Sequence, residues 1–269
     1  MTPDVVPASV VVCTIGRSAH LRTCLETLAR CAPRAAELLV VDQSGGHEVS
    51  RVVAEFAAAG ARRVACSGRG VGRARNLGFA TAAHEIVLVT DDDCTVAPDW
   101  VGRAWRHVTA SPDGIVTGRV LPAGGADAVP STIESSSGRS YTAAKDFSVL
   151  YTGNMAVSRL ALRSIGGFDE RISPAATDND LCYRWLKAGR PMRYEPDLVV
   201  WHHDWRTPAE LERRYVGYAV GQGMFYAKHL RQGDWAIARD LVHYAYQGCR
   251  GAAARIVHGR PRSGDWRQG

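Results

Sequence analysis

Four short apolar runs, separated by helix-length segments, constrain this chain more than anything else in it. They lie at residues 9–13, 37–41, 63–66 and 85–90. Between them, 18–31 carries Leu21, Leu25 and Leu28 on one helical face, 47–59 reads as a second helix closed by Gly60, and a Gly-rich turn at 68–72 opens a third over about 73–83. Parallel strands need long crossovers, so this alternation predicts an α/β fold with a mostly parallel central sheet and helices on both faces. Ligands of such sheets bind beyond the carboxyl ends of the strands. Cys13-Thr14, Asp42 and Asp91-Asp92-Asp93 all fall at those ends.

The triplet Asp91-Asp92-Asp93 directly follows the run Ile86-Val87-Leu88-Val89. Three carboxylates beside a core are costly unless something compensates their charge. A hard divalent cation, which prefers oxygen ligands, would do so. Side chains alternate along an extended segment, so Asp91 and Asp93 are expected on one side and Asp92 on the other. The competing reading is a solvated acidic turn or helix cap.

The second half is less regular. Helices are expected at 99–110 and 178–188, strands at 115–121, 151–158 and 197–201, and two C-terminal helices at 208–230 and 235–257. Residues 122–146, rich in Gly, Ala, Ser and Pro, read as a long loop suited to a lid. The C-terminal helices offer Leu211, Tyr215, Tyr218, Gln222, Trp235, Leu241, Tyr244 and Ile256 for packing on the catalytic domain, on a second subunit or, less favoured, on a membrane surface.

Composition excludes several classes. With 269 residues, 46% hydrophobic and 22% charged, the chain has the make-up of a soluble globular protein. No apolar run approaches the roughly 18 residues of a membrane span, and Met1-Thr2-Pro3-Asp4 lacks the regions of a secretory signal. Seven scattered cysteines without a C-x-x-C pair argue against a disulfide framework. These features together point to the cytoplasm, with peripheral contact at the inner membrane face left open. A net charge of +6 favours anionic ligands but is too diffuse for nucleic-acid binding. The basic residues Arg250, Arg255, Arg260, Arg262 and Arg267 read as a solvated tail.

Several further motifs carry chemistry. Asp42 can accept hydrogen bonds from a nucleobase or ribose, or can begin an Asx turn. Gly70-Val71-Gly72-Arg73-Ala74-Arg75-Asn76-Leu77-Gly78 places glycines and two arginines at a helix start, a setting that attracts phosphate. Its third glycine comes too late for a dinucleotide fingerprint, and it follows the third strand rather than the first. Asp178 and Asp180 flank a predicted helix start, where one acid is explained by capping and the other suits a general base. His202, at a strand's end, is a candidate metal ligand through neutral imidazole. Gly153-Asn154-Met155 and Gly166-Gly167-Phe168-Asp169 read as turns.

In order, these residues resemble the family 2 inverting glycosyltransferases of GT-A fold. The matching elements are Cys13-Thr14-Ile15-Gly16-Arg17, Val40-Val41-Asp42-Gln43-Ser44, Ala74-Arg75-Asn76-Leu77-Gly78, Asp91-Asp92-Asp93, Gly153-Asn154-Met155, Gly166-Gly167-Phe168-Asp169-Glu170, Asp178-Asn179-Asp180-Leu181 and Val200-Trp201-His202. The resemblance covers about residues 8–205. It implies a GT-A catalytic domain over 1–205, with a nucleotide-sugar half to about 120 and an acceptor half beyond it, and a helical extension over 206–269.

It further implies a nucleotide-diphosphate sugar donor, a divalent metal (Mn²⁺ or Mg²⁺) and a sugar, lipid-linked or small-molecule acceptor. Thr14, Arg17, Asp42, Arg75, Asn76, Asp91 and Asp92 would bind the donor, Asp42 through the base. Asp93 and His202 would hold the metal, Asp178 would be the catalytic base, and Gly153, Asn154, Met155 and Asp180 would meet the acceptor. The chain departs from the family at Thr177, where an acidic neighbour of the base is common. Two other readings compete. A sugar-nucleotidyltransferase would need an Arg- and Lys-bearing phosphate loop that the first strand lacks. A noncatalytic nucleotide-sugar binder would bind donor without transfer. A homodimer through the C-terminal helices also stays open.

Overall fold

The computed structural model describes residues 3–123, 132–203, 207–243 and 245–246. The chain forms two compact units, Met1–Gln222 and Gly223–Gly269. In the first, β1 (Val5–Thr14), α1 (Ser18–Ala29), β2 (Arg34–Asp42), α2 (His47–Glu55), β3 (Ala61–Ala65), α3 (Val71–Thr81) and β4 (Ile86–Asp91) alternate as the apolar runs predict. The chain continues through β5 (Cys94–Val96), α4 (Trp100–Ala110), β6 (Ile115–Pro122), β7 (Arg139–Tyr141), β8 (Asn154–Ser158), α5 (Arg159–Ser164), α6 (Thr177–Lys187), β9 (Met192–His202) and α7 (Pro208–Arg231).

One sheet runs β3-β2-β1-β4-β8-β6-β9-β5, with β7 paired to β9. Along this path β1, β2, β3, β4, β6 and β9 point one way, and only β8 and β5 oppose them. Strand alternation divides the core. Val10, Val12, Leu38, Val40 and Leu88 pack with Leu21, Leu25 and Leu28 of α1, Val49, Val52 and Val53 of α2, and Trp100 and Val101 of α4. The opposite face takes α3, whose Gly78 lies so close to Val11 that a Cβ there would meet its Cγ1 at 2.4 Å. Each fully buried aliphatic side chain contributes about 1.5–3 kcal/mol.

Four expectations change. The acidic triplet is not extended: β4 ends at Asp91, residues 92 and 93 turn, and β5 runs back along β9. The strand expected at 151–158 begins at Asn154, which leaves Tyr151 to Gly153 as a turn. The loop at 122–146 is not wholly irregular, because β7 finds backbone partners on β9 and Ile133 bridges to Val120. Residues 124–131, the centre of the expected lid, lie outside the described residues. The boundary expected at 205–206 falls inside the first unit, because α7 packs on the segment before α6. There a Cβ on Gly217 would meet Pro174 at 3.0 Å, one on Gly221 would meet the Ala175 carbonyl at 2.4 Å, and Asn179 Nδ2 donates to Gln222 Oε1 at 2.7 Å.

In the second unit residues 236–243 and 245–246 are helical; Tyr244, Ile256 and the basic residues from Arg250 onward lie outside the described residues. Among the described residues no helix is long and apolar enough to cross a membrane.

Candidate active site

The carboxyl ends of β2 and β4 and the turn that follows β4 deliver Asp42, Asp91, Asp92 and Asp93 to one end of the sheet, beside Thr14 at the end of β1, and α6 adds Asp178. Asp93 stands where the chain turns from β4 to β5. Register then decides its neighbour: Cys94 of β5 pairs with His202 at the end of β9. This puts His202 Nε2 3.4 Å from Asp93 Oδ1, with both side chains buried. Nδ1 of the same ring has no hydrogen-bond partner among the described residues. A carboxylate and an imidazole side by side form a donor set that suits Mn²⁺. Cys94 Sγ lies within 4.8 Å of these atoms, but thiolate is a soft ligand that suits Mn²⁺ or Mg²⁺ less well than carboxylate or imidazole, and burial pushes this thiol's pKa up.

Asp91 and Asp178 meet through one cation. Arg75 Nη2 lies 3.3 Å from Asp91 Oδ1, and Nη1 lies 3.1 Å from Asp178 Oδ1. The guanidinium rests over the Phe168 ring, 5.5 Å from its centroid. Tyr151 donates its hydroxyl to Asp91 Oδ2 at 3.1 Å. Asp178 also accepts from Thr177 Oγ1 at 3.0 Å, Thr152 Oγ1 at 3.0 Å and Thr152 N at 3.3 Å. Thr177 thus supplies a hydroxyl donor to Asp178 where the family commonly has an acid. The residue before it, Ala176, adopts a left-handed φ of 65°, a conformation that costs a non-glycine residue of order 1 kcal/mol.

Several residues expected to touch ligands are committed to the fold. Thr14 and Asp92 are buried and bonded to each other at 2.6 Å. Burial lifts the Asp92 pKa above the usual carboxylate range, with Arg17 and Thr14 pulling it back. Arg17, partly exposed, bonds Asp92 through Nε at 3.0 Å and reaches Asp93 Oδ2 at 3.5 Å. Alternation therefore fails here: the shared cation groups Asp92 with Asp93, and Asp91 goes with Arg75. Asp42 is at the end of β2 as expected, but both its oxygens are taken. Oδ1 accepts from Ser44 N at 2.8 Å and Ser44 Oγ at 2.6 Å, and Oδ2 pairs with Arg63 Nη2 at 2.7 Å. Burial alone would raise its pKa; the bonds from Ser44 and Arg63 outweigh burial and hold it below the ordinary range.

Asn76 closes a ring with the Phe168 backbone, donating to its carbonyl at 2.9 Å and accepting from its N–H at 2.9 Å, and also donates to Glu170. A Cβ on Gly167 would sit 2.8 Å from the Asn76 oxygen, so the turn needs glycine there. Asn154 accepts from Trp100 Nε1 at 2.8 Å and donates to the carbonyls of Arg119 and Leu198 at 2.9 and 3.0 Å. These bonds cross-link three strands and a helix from within the core, and Met155 beside Asn154 is buried too. Asp180 is fully buried and pairs with Arg184 at 2.8 Å, whose other nitrogens hold the carbonyls of Ile165 and Gly167. Gly153 alone of that group reaches the site, where a Cβ would meet Tyr151 at 2.5 Å and Asp91 Oδ2 at 2.7 Å.

The sequence reading missed Tyr151, Thr152 and Arg63 as site residues and took Phe168 only as part of a turn. All three missed residues sat inside expected strands.

Residues 9–169 match the model of glycosyl transferase family 2. A pre-mycofactocin glycosyltransferase of Mycobacterium tuberculosis (strain CDC 1551 / Oshkosh) is 30% identical over 148 residues, which are 52% of this chain and 31% of that protein. The chain thus spans about a third of the length of the curated relatives it matches. Among solved structures, S. aureus TarS 1-349 in complex with UDP-GlcNAc superposes with a TM-score of 0.64 at 15% identity, covering 75% of this chain and 60% of that one. The mannosyltransferase PcManGT from Pyrobaculum calidifontis in complex with GDP-Man and Mn²⁺ gives 0.62 at 18%, covering 84% and 64%. At such identities the likeness establishes the GT-A fold. The family match takes in β1 through the turn at Asp169, including Arg75, the acidic triplet and Gly153, and on it the chain belongs to glycosyl transferase family 2.

Proposed function

We propose that this protein is an inverting glycosyltransferase that moves a sugar from a nucleoside-diphosphate sugar to an acceptor hydroxyl. The observation that carries this reading is the meeting of Asp91 and Asp178 on Arg75, beside the buried pair Asp93 and His202. Asp93 and His202 would hold the divalent metal, Mn²⁺ or Mg²⁺. When bound, such an ion neutralises the charge of a diphosphate leaving group. Asp91, at the end of β4 with Gly153 keeping the space beside it open, faces the donor. Arg17, just before α1, and Arg63, in the middle of β3, are partly exposed cations that offer contacts to the phosphates and base. Asp178 accepts the proton of the acceptor hydroxyl while that oxygen attacks the anomeric carbon. The bond from that carbon to the diphosphate oxygen breaks with its electron pair leaving on the nucleotide. One displacement inverts the configuration, and no protein nucleophile is required. The free thiols of the described cysteines suit a reducing compartment such as the cytoplasm.

The test is product analysis with UDP-glucose, UDP-GlcNAc and GDP-mannose in the presence of Mn²⁺. Metal-dependent release of nucleoside diphosphate is expected, abolished by Asp93→Asn and by Asp178→Asn in folded protein. Release of pyrophosphate would assign a nucleotidyltransferase, and full turnover in both variants would strip Asp93 and Asp178 of their roles.

A further inference from the structure

Arg75 is placed unusually for a cation. Its side chain is 5% exposed, yet its contacts to carboxylates are two single-point ones, at 3.1 and 3.3 Å. Charge-assisted N–H···O bonds ordinarily measure about 2.7–2.9 Å. Its Nε is buried and has no partner among the described residues. A guanidinium has five donors in a rigid fork matched to carboxylate and phosphate, and here the fork is underused.

The base is in the opposite condition. Arg75 and Thr177 donate to Asp178 Oδ1, and Thr152 donates twice to Oδ2. A general base must turn a lone pair toward the acceptor hydroxyl. Thr152 and Thr177 are neutral. Arg75 is the one donor on this carboxylate that a charged ligand can draw away, and its other contact is Asp91, the residue that faces the donor in glycosyl transfer.

We propose that Arg75 is shared between base and donor: the diphosphate of an incoming nucleotide sugar competes with Asp178 for the guanidinium, and the base is freed as the donor binds. This rests on the glycosyl-transfer reading. The buried cation stays paired throughout, because a phosphate replaces a carboxylate, and a buried charge stripped of its partner is strongly destabilising. Arg75 binds the donor directly and acts on the acceptor's proton transfer only through Asp178. The consequence is order: the acceptor hydroxyl meets a competent base only after the donor is seated.

The test reads nucleotide binding and needs neither acceptor nor turnover. A panel of UDP, GDP, dTDP, CDP and ADP, each with Mn²⁺, is titrated calorimetrically into the wild type, and the tightest binder is carried to Asp178→Asn, Arg75→Lys and the double variant. Asp178→Asn keeps the shape and removes the competing charge, so Kd should fall by roughly fivefold or more. In the Arg75→Lys background the same substitution should change Kd by less than about twofold. A brace that serves only the fold would leave binding unchanged or weaker when Asp178 is altered. Either of those results, or equal tightening in both backgrounds, overturns the proposal and leaves donor binding intact. Should Arg75→Lys not fold, the sign of the Asp178→Asn effect alone decides. No binding of any nucleotide by the wild type overturns this proposal together with the glycosyl-transfer reading beneath it.

Discussion

Cys94 and His202 are register partners on antiparallel strands, and that pairing brings His202 Nε2 to 3.4 Å from Asp93 Oδ1. A pair of ligand types so placed has a direct consequence. His202→Ala should weaken Mn²⁺ binding by at least roughly tenfold, measured by titration with Mn²⁺ alone and with nucleotide present. Cys94→Ala should leave Mn²⁺ affinity within about twofold, since a soft thiolate is a poor match for so hard an ion. Equal losses in the two variants would move the metal toward Cys94.

Asn154 separates a structural role from an acceptor role. Its three buried bonds, to Trp100, Arg119 and Leu198, leave the indole N–H and two carbonyls without partners when the amide is removed. Asn154→Ala should cost about 2–3 kcal/mol of stability, read as a lowered denaturant midpoint. Nucleotide affinity of the folded variant should not change. A variant of wild-type stability that fails only in acceptor use would assign Asn154 to the acceptor instead.

Gly153 and Gly166 make a matched comparison. A Cβ at Gly153 would strike Tyr151 and Asp91, whereas Gly166 has open space around it but a φ of 82°. Gly153→Ala should weaken nucleotide binding about tenfold or more by displacing Asp91, a loss worth about 1.4 kcal/mol. Gly166→Ala should cost about 1 kcal/mol of stability with binding retained. The same binding loss in both would mean that Gly153 acts through general destabilisation.

Acid should destabilise the fold. Burial would raise the pKa values of Glu37, Asp42 and Asp197, but each is instead held below the ordinary range: Glu37 by Ser9, the Ala83 N–H and Arg62, Asp42 by Ser44 and Arg63, and Asp197 by Arg103 and His107. A depressed carboxylate stabilises the folded state above its unfolded value, and that contribution is lost as pH falls through the folded value. Asp92, raised by burial, acts in the opposite sense, one group against three. Melting temperature should therefore fall as pH drops from about 5 toward 2, and more gently in Arg62→Gln, where Glu37 loses its ion pair. A flat profile would contradict these pairings.

The strands and helices of the first half were legible because each is announced by local chemistry. Apolar runs such as 86–89, helical leucines at 21, 25 and 28, and punctuating glycines need no tertiary information. The placement of acids at strand ends followed from the same alternation. What no local pattern displayed was side-chain commitment. Asn76, Asn154, Asp180, Thr14 and Asp92 have the polarity of ligand-binding residues, yet each is held by partners within the fold, most of them distant in sequence.

By itself, the sequence determined the α/β alternation, the end of the sheet where a site would lie, and the residue types gathered there. The tertiary structure alone decided which of those residues face one another: the turn at 92–93 sends β5 back along β9, so Asp93 meets His202, while Arg75 draws Asp91 and Asp178 together. The physical reason is that periodicity records which face of an element is buried, whereas hydrogen-bond saturation and strand register depend on partners far along the chain that no local pattern encodes.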